Sequence, residues 1–331
     1  MTGIPDRYGR LHDDLRISVT DRCNLRCTYC MPLEPEWFPR EEILAYEEML
    51  RVVRVAVGLG VRKIRVTGGE PLVRRDLPFL IDMLAAEPGV EDLSLTTNGL
   101  RLDTMAADLA AAGLRRVNVS LDTLRPELFH ELTRRNMLER VLAGLDAATA
   151  AGLAPLKINT VLVRGTNDGE LESLAERARE HGWELRFIEF MPLANGGTWD
   201  DSRVVTGDEV RRRIGRLWPI EPDPQTDPHA PAVRYRYLDG RGRLGFVDSV
   251  SRPFCLNCSR IRLTSDGKFR VCLYDDRETD LKGPMRAGAG DDELARLMER
   301  AVRGKGTGGA LQVLEDRATR PMTRTMHQIG G

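Results

Sequence analysis

The chain has 331 residues, 41% of them hydrophobic and 30% charged, with a formal net charge of −1, an ordinary balance for a soluble globular protein of one large domain or two. That charge argues against a globally basic nucleic-acid binder, no apolar run reaches the roughly 18 residues of a membrane span, and the N-terminal segment MTGIPDRYGRLHDD lacks an apolar signal-peptide core. A cytoplasmic setting with reduced thiols is expected, with neither nucleic acid nor membrane as partner.

From residue 15 the chain alternates short apolar runs with longer amphipathic ones. LRISV (15–19), KIRVT (63–67), DLSLTTNG (92–99), RRVNVSLD (115–122), PLKINTVLV (155–163) and ELRFIEFM (184–191) predict strands. Segments 46–60, 77–86, 102–113, 138–151 and 168–181 predict the helices between them. Such alternation indicates βαβ units around a parallel sheet, and six strands fall short of a complete eight-stranded barrel. Polar residues gather at the C-terminal strand ends (Thr67-Gly68-Gly69-Glu70, Thr96-Thr97-Asn98-Gly99, Ser120-Leu121-Asp122, Met191), the edge where parallel α/β proteins place their sites.

After residue 192 the pattern changes: a loop, a short helix over 206–217 and a Pro- and Asp-rich stretch over 219–231. Two hairpins follow, turning at Asp239-Gly240 and Asp266-Gly267. Residues 304–331 are Gly- and Arg-rich and predict weak structure.

The six cysteines form two groups of three, Cys23, Cys27, Cys30 and Cys255, Cys258, Cys272, about 220 residues apart. Closely spaced thiolates suit zinc or an iron–sulfur cluster. For the first triad the alternatives are a metal-free loop, a zinc site completed by His12, or a cubane in which three thiolates leave one iron open to a small molecule. For the second they are a zinc knuckle, with His229 in the preceding Pro-rich loop, or another cluster with an open iron.

C-x3-C-x2-C with an aromatic before its last cysteine, directly after a first strand, resembles the radical S-adenosylmethionine (SAM) superfamily. Gly68-Gly69-Glu70-Pro71 is similar to that superfamily's motif for the SAM amino group. The strings LRISVTDRCNLRCTYCMP, IRVTGGEPLVRRDL, LTTNG, VNVSLDTL and CLNCSRIRLTSDGKFRVCL closely resemble the GTP 3′,8-cyclase family of molybdenum cofactor biosynthesis. Gly330-Gly331 matches its di-glycine tail, and the resemblance runs from about residue 8 to the last.

The resemblance implies a partial (β/α)6 barrel over 1–195, and over 196–331 a small antiparallel extension that carries a second cluster, binds GTP and ends in the Gly-Gly tail. It implies two [4Fe–4S] clusters, on Cys23, Cys27, Cys30 and on Cys255, Cys258, Cys272, with Tyr29, Gly69, Glu70, Ser120 and Met191 around SAM. Arg16, Arg65, Thr96, Lys157, Arg260 and Arg262 would line the GTP site, and Arg260, Arg262, Gly330 and Gly331 would assist catalysis. In the implied reaction a 5′-deoxyadenosyl radical abstracts the ribose 3′ hydrogen of GTP. The substrate radical closes onto guanine carbon 8, giving (8S)-3′,8-cyclo-7,8-dihydroguanosine 5′-triphosphate. A one-electron donor such as flavodoxin or ferredoxin, a downstream cyclic pyranopterin monophosphate synthase and a homodimer are the implied partners. The competing readings are a peptide-modifying radical SAM enzyme and a non-catalytic zinc or iron–sulfur protein.

The residues support part of this on their own. Of the 49 basic residues 44 are arginine, so one arginine says little. Yet Arg16, Arg65 and Lys157 alternate with apolar neighbours in predicted strands and would point inward, where a cation needs an anion. Arg260 and Arg262, two apart, share a strand face beside the second triad. RGKGTGG (303–309) lacks the order of a Walker loop, and no strand–G-x-G-x-x-G–helix unit exists for a dinucleotide.

Overall fold

A computed structural model describes residues 3–193, 199–311 and 324–330. A small antiparallel ribbon of β1 (Ile4–Pro5) and β2 (Leu11–His12) precedes β3 (Asp14–Ser18). The alternation then runs α1 (Tyr46–Gly58), β4 (Lys63–Thr67), α2 (Leu77–Ala85), β5 (Asp92–Thr97), α3 (Leu102–Ala111) and β6 (Arg116–Ser120). It continues through α4 (Pro126–Thr133), α5 (Leu138–Ala150), β7 (Lys157–Leu162), α6 (Leu171–Glu180) and β8 (Glu184–Glu189). Beyond lie α7 (Gly207–Leu217), β9 (Ile220–Pro222), β10 (Val233–Tyr237), β11 (Arg243–Val247), β12 (Arg260–Leu263), β13 (Lys268–Arg270) and β14 (Thr279–Asp280). The last helices are α8 (Lys282–Arg286), α9 (Asp291–Arg303) and α10 (Met326–Ile329).

Strands β3 to β8 pair in sequence order, all parallel, as the alternation predicts. The two hairpins do not form a separate antiparallel layer. Strand β12 pairs parallel with β3, and β11 parallel with β8, so each hairpin covers one edge of the six-stranded core. Eight parallel strands result, within an open twelve-stranded sheet that ends at β14 and β9. The physical reason is the edge itself: an open sheet leaves rows of unpaired N–H and C=O groups that must be covered. Strands from before residue 194 and after residue 198 therefore share one sheet.

Period-two alternation sorts the strands onto two faces. Leu15, Ile17, Ile64, Val66, Leu95, Val117, Val119, Ile158, Leu185, Ile261 and Leu263 point to the helices and are at most 1% exposed. Each such side chain contributes about 1.5–3 kcal/mol of burial. The alternate positions, Asp14, Arg16, Arg65, Ser94, Thr96, Asn118, Lys157, Asn159, Glu184, Arg186, Arg260 and Arg262, are polar and share the opposite, concave face. The sheet thus presents a polar trough, and the site is built there.

Helices α4, α8 and α9 have no counterpart among the sequence expectations. Helix α9 buries Leu294, Met298 and Val302 completely. Among the described residues no helix is long and apolar enough to cross a membrane.

Candidate functional site

The first triad lies on the loop leaving β3, clamped to the end of β4. Val19 N–H donates to the Thr67 carbonyl at 2.9 Å, and the N–H groups of Gly69 and Glu70 donate to the Thr20 and Arg22 carbonyls at 2.6 and 2.8 Å. A Cβ on Gly69 would meet the Asp21 and Arg22 carbonyl oxygens at 2.4 Å, so the close approach requires glycine. On its other side the loop hangs from the end of α4, where Arg26 and Thr28 N–H donate to the Thr133 and Leu132 carbonyls, both at 3.0 Å.

Cys23, Cys27 and Cys30 are half-exposed as residues, but their thiols face one cavity. There burial pushes Cys23 up to about 11 and Cys30 to about 12, and raises Cys27 well above its ordinary value. Leu25 N–H and Asn98 Nδ2 point at Cys23 Sγ, at 3.4 and 3.8 Å. Among the described residues no three His, Cys, Asp or Glu side chains converge closely enough to hold a single metal ion. Thiolates on separate irons of a cluster stand further apart than the ligands of one ion, and three of them leave one iron of a cubane open. His12 does not complete this site: it lies behind the second triad, with Nδ1 3.1 Å from the Ile4 carbonyl and Nε2 2.9 Å from Lys305 Nζ.

The second triad sits where β12 and β13 meet the segment after α9. All three of its cysteines line the same cavity as the first triad. Burial raises Cys255, whereas at Cys258 burial is outweighed by Arg260 and Lys305, which bring the thiol down to about 6. His229 is exposed, its Nδ1 3.3 Å from the Asn257 carbonyl.

Between the triads the sheet register sets three arginines side by side. Arg262 pairs laterally with Arg16, and Arg16 with Arg65, on β12, β3 and β4. Adjacent strands lie about 4.8 Å apart, so like charges are packed at close range. Burial first, then Arg65, lowers Arg16 well below its ordinary value, and burial with Arg260 brings Arg262 to about 10. Asp14 answers part of this charge: burial would raise it, but Arg65, Arg16 and Arg260 hold it below the usual carboxylate range. The Nε groups of Arg16 and Arg260 are buried donors without a hydrogen-bond partner. A cavity of about 330 Å³ with such donors suits a multidentate anion.

Of the residues singled out from sequence, the six cysteines, Tyr29, Gly69, Glu70, Ser120, Met191, Arg16, Arg65, Thr96, Arg260 and Arg262 all line this cavity. Lys157 lies on the same strand face as the lining residue Asn159, buried one step towards the N-terminal end of the sheet. Glu70 is buried and already accepts from Leu72 N–H, Thr97 Oγ1 and Asn98 N–H at 2.9, 2.6 and 2.6 Å; burial raises it to about 7 against those three donors. The Tyr29 hydroxyl donates to Asp122 Oδ2 at 2.5 Å, and burial holds Asp122 at about 6 against that bond. Gly330 is brought in as well: the Arg262 guanidinium donates to its carbonyl. Gly331 lies outside the described residues.

Sequence reasoning missed Arg186, which lines the cavity and bonds Glu184 at 2.7 Å through Nε. Its signal is faint: it alternates with apolar residues in β8, and Gly245 faces it on β11, where a Cβ would meet Arg186 Cγ at 2.9 Å. Asn159, Tyr274 and His327 also line the cavity and carry no local motif, while Asp122 lines it from the strand end Ser120-Leu121-Asp122.

Comparison with known proteins gives two family matches, the Radical SAM superfamily over residues 17–178 and Molybdenum Cofactor Synthesis C over 183–310. Similar proteins named GTP 3′,8-cyclase include that of Moorella thermoacetica, 46% identical over 99% of this chain and 100% of the relative. That of Acidothermus cellulolyticus is 48% identical over 90% of this chain and 84% of the relative. Among solved structures, Streptococcus suis SuiB bound to precursor peptide SuiA superposes with a TM-score of 0.63 at 13% identity, over 93% of this chain and 72% of that one. Native anSMEcpe with bound AdoMet gives 0.55 at 16%, over 92% and 95%. At such identities these structures speak for the fold alone.

Proposed function

The chain belongs to the GTP 3′,8-cyclase family of radical SAM enzymes, and from that membership and the geometry of the cavity we propose how its residues divide the work. Its activity is the radical cyclisation of GTP in molybdenum cofactor biosynthesis, with SAM and [4Fe–4S] chemistry. The observation that carries the assignment of roles is that both cysteine triads open into one cavity with the Arg262–Arg16–Arg65 row between them.

Cys23, Cys27 and Cys30 would hold the SAM-cleaving cluster, and Cys255, Cys258 and Cys272 a second one facing the guanine. When bound, these groups supply a carbon-centred radical and the electrons that generate and quench it. The protein's own part is binding and positioning. Tyr29, Gly69, Ser120 and Met191 would surround SAM, with the Tyr29–Asp122 bond fixing the aromatic ring against the first triad. Glu70 fixes the ends of β4 and β5 through its three internal bonds, and Oε2 keeps a lone pair for an incoming ammonium. Arg16, Arg65, Arg260 and Arg262 would take the triphosphate, with the unpartnered Nε groups of Arg16 and Arg260 finding acceptors there. Thr96 lies beside them on β5, and Lys157 would hold a proton beneath them. Gly330 and Gly331 would approach the substrate from the tail.

The same reading assigns the barrel of 1–195 to SAM and 196–331 to the second cluster and GTP. It also takes in a cytoplasmic location, a one-electron donor such as flavodoxin or ferredoxin, a downstream cyclic pyranopterin monophosphate synthase and a homodimer. Anaerobic reconstitution tests it: about eight irons per chain are expected, with SAM converted to 5′-deoxyadenosine only when GTP is present. Zinc in place of iron, or turnover indifferent to GTP, would overturn it.

A further inference from the structure

The segment RGKGTGG, which has no place in a Walker loop, closes over the second triad. Lys305 is 3% exposed, one of only five lysines in the chain, and its ammonium has three polar neighbours. Nζ lies 2.9 Å from His12 Nε2, 3.0 Å from the Arg260 carbonyl and 3.7 Å from Cys258 Sγ. An ammonium has three N–H donors, and here each finds one acceptor. The histidine tautomer follows: Nδ1 faces the Ile4 carbonyl and must donate, which leaves the Nε2 lone pair to Lys305.

The rest of the segment is equally constrained. Arg10 donates to the carbonyls of Gly306 and Thr307 at 2.6 and 2.7 Å and to that of Cys255 at 2.8 Å, while its Nε is held by Asp6 at 2.6 Å. A Cβ on Gly308 would meet Cys255 Cβ at 2.9 Å, and one on Gly309 would meet Cys272 Sγ at 2.7 Å. The N–H groups of Ala310 and Leu311 bond towards Cys255 Sγ. Each cysteine of the triad is thus met by this one stretch of chain.

We propose that residues 304–311 are a strap that seats the second cluster, with Lys305 donating to the Cys258 thiolate and Gly308 and Gly309 letting the backbone close over Cys255 and Cys272. Lys305 is a positioning residue, and it rests on the assignment of a cluster to this triad. Hydrogen bonds and positive charge at a cluster sulfur favour its more negative, reduced form. The strap therefore raises the reduction potential of the second cluster and retains its iron, and the His12–Asp6–Arg10 group holds the strap in place.

The test is Lys305→Met in the full reconstituted chain, read by iron content and by an electron paramagnetic resonance redox titration. The first cluster is told apart by its response to SAM. The variant is expected to keep the first cluster and to lose about tenfold in the equilibrium for reducing the second, a fall of about 59 mV for one electron. Loss of the second cluster's iron alone also supports the strap, and Lys305→Arg should restore both readouts. Full iron with an unchanged potential overturns it. Should Lys305→Met fail to fold, Gly309→Ala presses a methyl group on Cys272 Sγ and must perturb the same signal; an unperturbed signal is equally fatal. Wild-type chain with only about four irons would instead sink the second cluster itself.

Discussion

The Arg262 guanidinium donates to the Gly330 carbonyl, which sets Gly330 against Ser18 and Thr67 at the C-terminal ends of β3 and β4. Gly330 has φ +84°, and a Cβ there would meet Thr67 Oγ1 at 2.7 Å. Gly330→Ala should therefore cost about 1–3 kcal/mol of local strain and displace the tail from the cavity. Cyclisation is expected to fall about 5- to 150-fold, with iron content and SAM binding kept. Product formation by liquid chromatography checks this, and full turnover would place the tail outside the chemistry.

Six residues earlier, Arg324 grips Asp266 through Nη1 and Nη2 at 2.9 and 2.8 Å, and Glu278 through Nε at 2.7 Å. Burial would raise Asp266, but the bonds from Arg324 and Thr264 bring it below the ordinary carboxylate value. A carboxyl depressed on folding adds stability above its unfolded value and loses it as pH falls through its folded value. Asp266→Asn should remove about 1.5–3 kcal/mol at neutral pH. In urea unfolding the gap between the two proteins should close as the pH is taken through the acid range. A gap independent of pH would mean that the ion pair is not its source.

At the first triad the decisive contact is backbone on backbone. Gly69→Ala would drive a methyl group into the Asp21 and Arg22 carbonyls, both 2.4 Å from the added carbon, in a loop already held on its far side by α4. The loop carrying Cys23 must then move. Reconstituted Gly69→Ala chain should lose the SAM-responsive signal while keeping the second cluster, a loss of about half the iron. Intact first-cluster spectra would show that the clamp is dispensable.

Local spacing wrote both triads plainly into the sequence, because Cys23, Cys27 and Cys30 need only one loop and Cys255 and Cys258 one short turn. Alternation likewise gave the inward face of Arg16, Arg65, Arg260 and Arg262. What it could not give is the row Arg262–Arg16–Arg65, because that depends on β12 crossing back to pair with β3 from the far end of the chain. Arg186 hid among 44 arginines, and its cue is a glycine on another strand. His12 and Lys305 meet only through the same closure, being 293 positions apart. Helix α9, by contrast, carries an open signal in Leu294, Met298 and Val302, four residues apart, on one face.

Lys157 ties the charge of the trough to pH. Burial first, then Arg186, brings its ammonium down to about 7. Because the folded value lies below the ordinary one of 10.5, the folded chain holds fewer protons than the unfolded chain between these values, and stability rises with pH across that window. A bound triphosphate reverses the balance by adding its negative charge to that of Glu184, which already opposes the fall, and it should draw the value back up. GTP binding at about pH 8 without reductant is therefore expected to take up close to one proton. Titration calorimetry in two buffers of different ionisation enthalpy reads that uptake directly. Lys157→Met should abolish it and weaken binding. If wild-type chain takes up no proton, the triphosphate does not sit above Lys157.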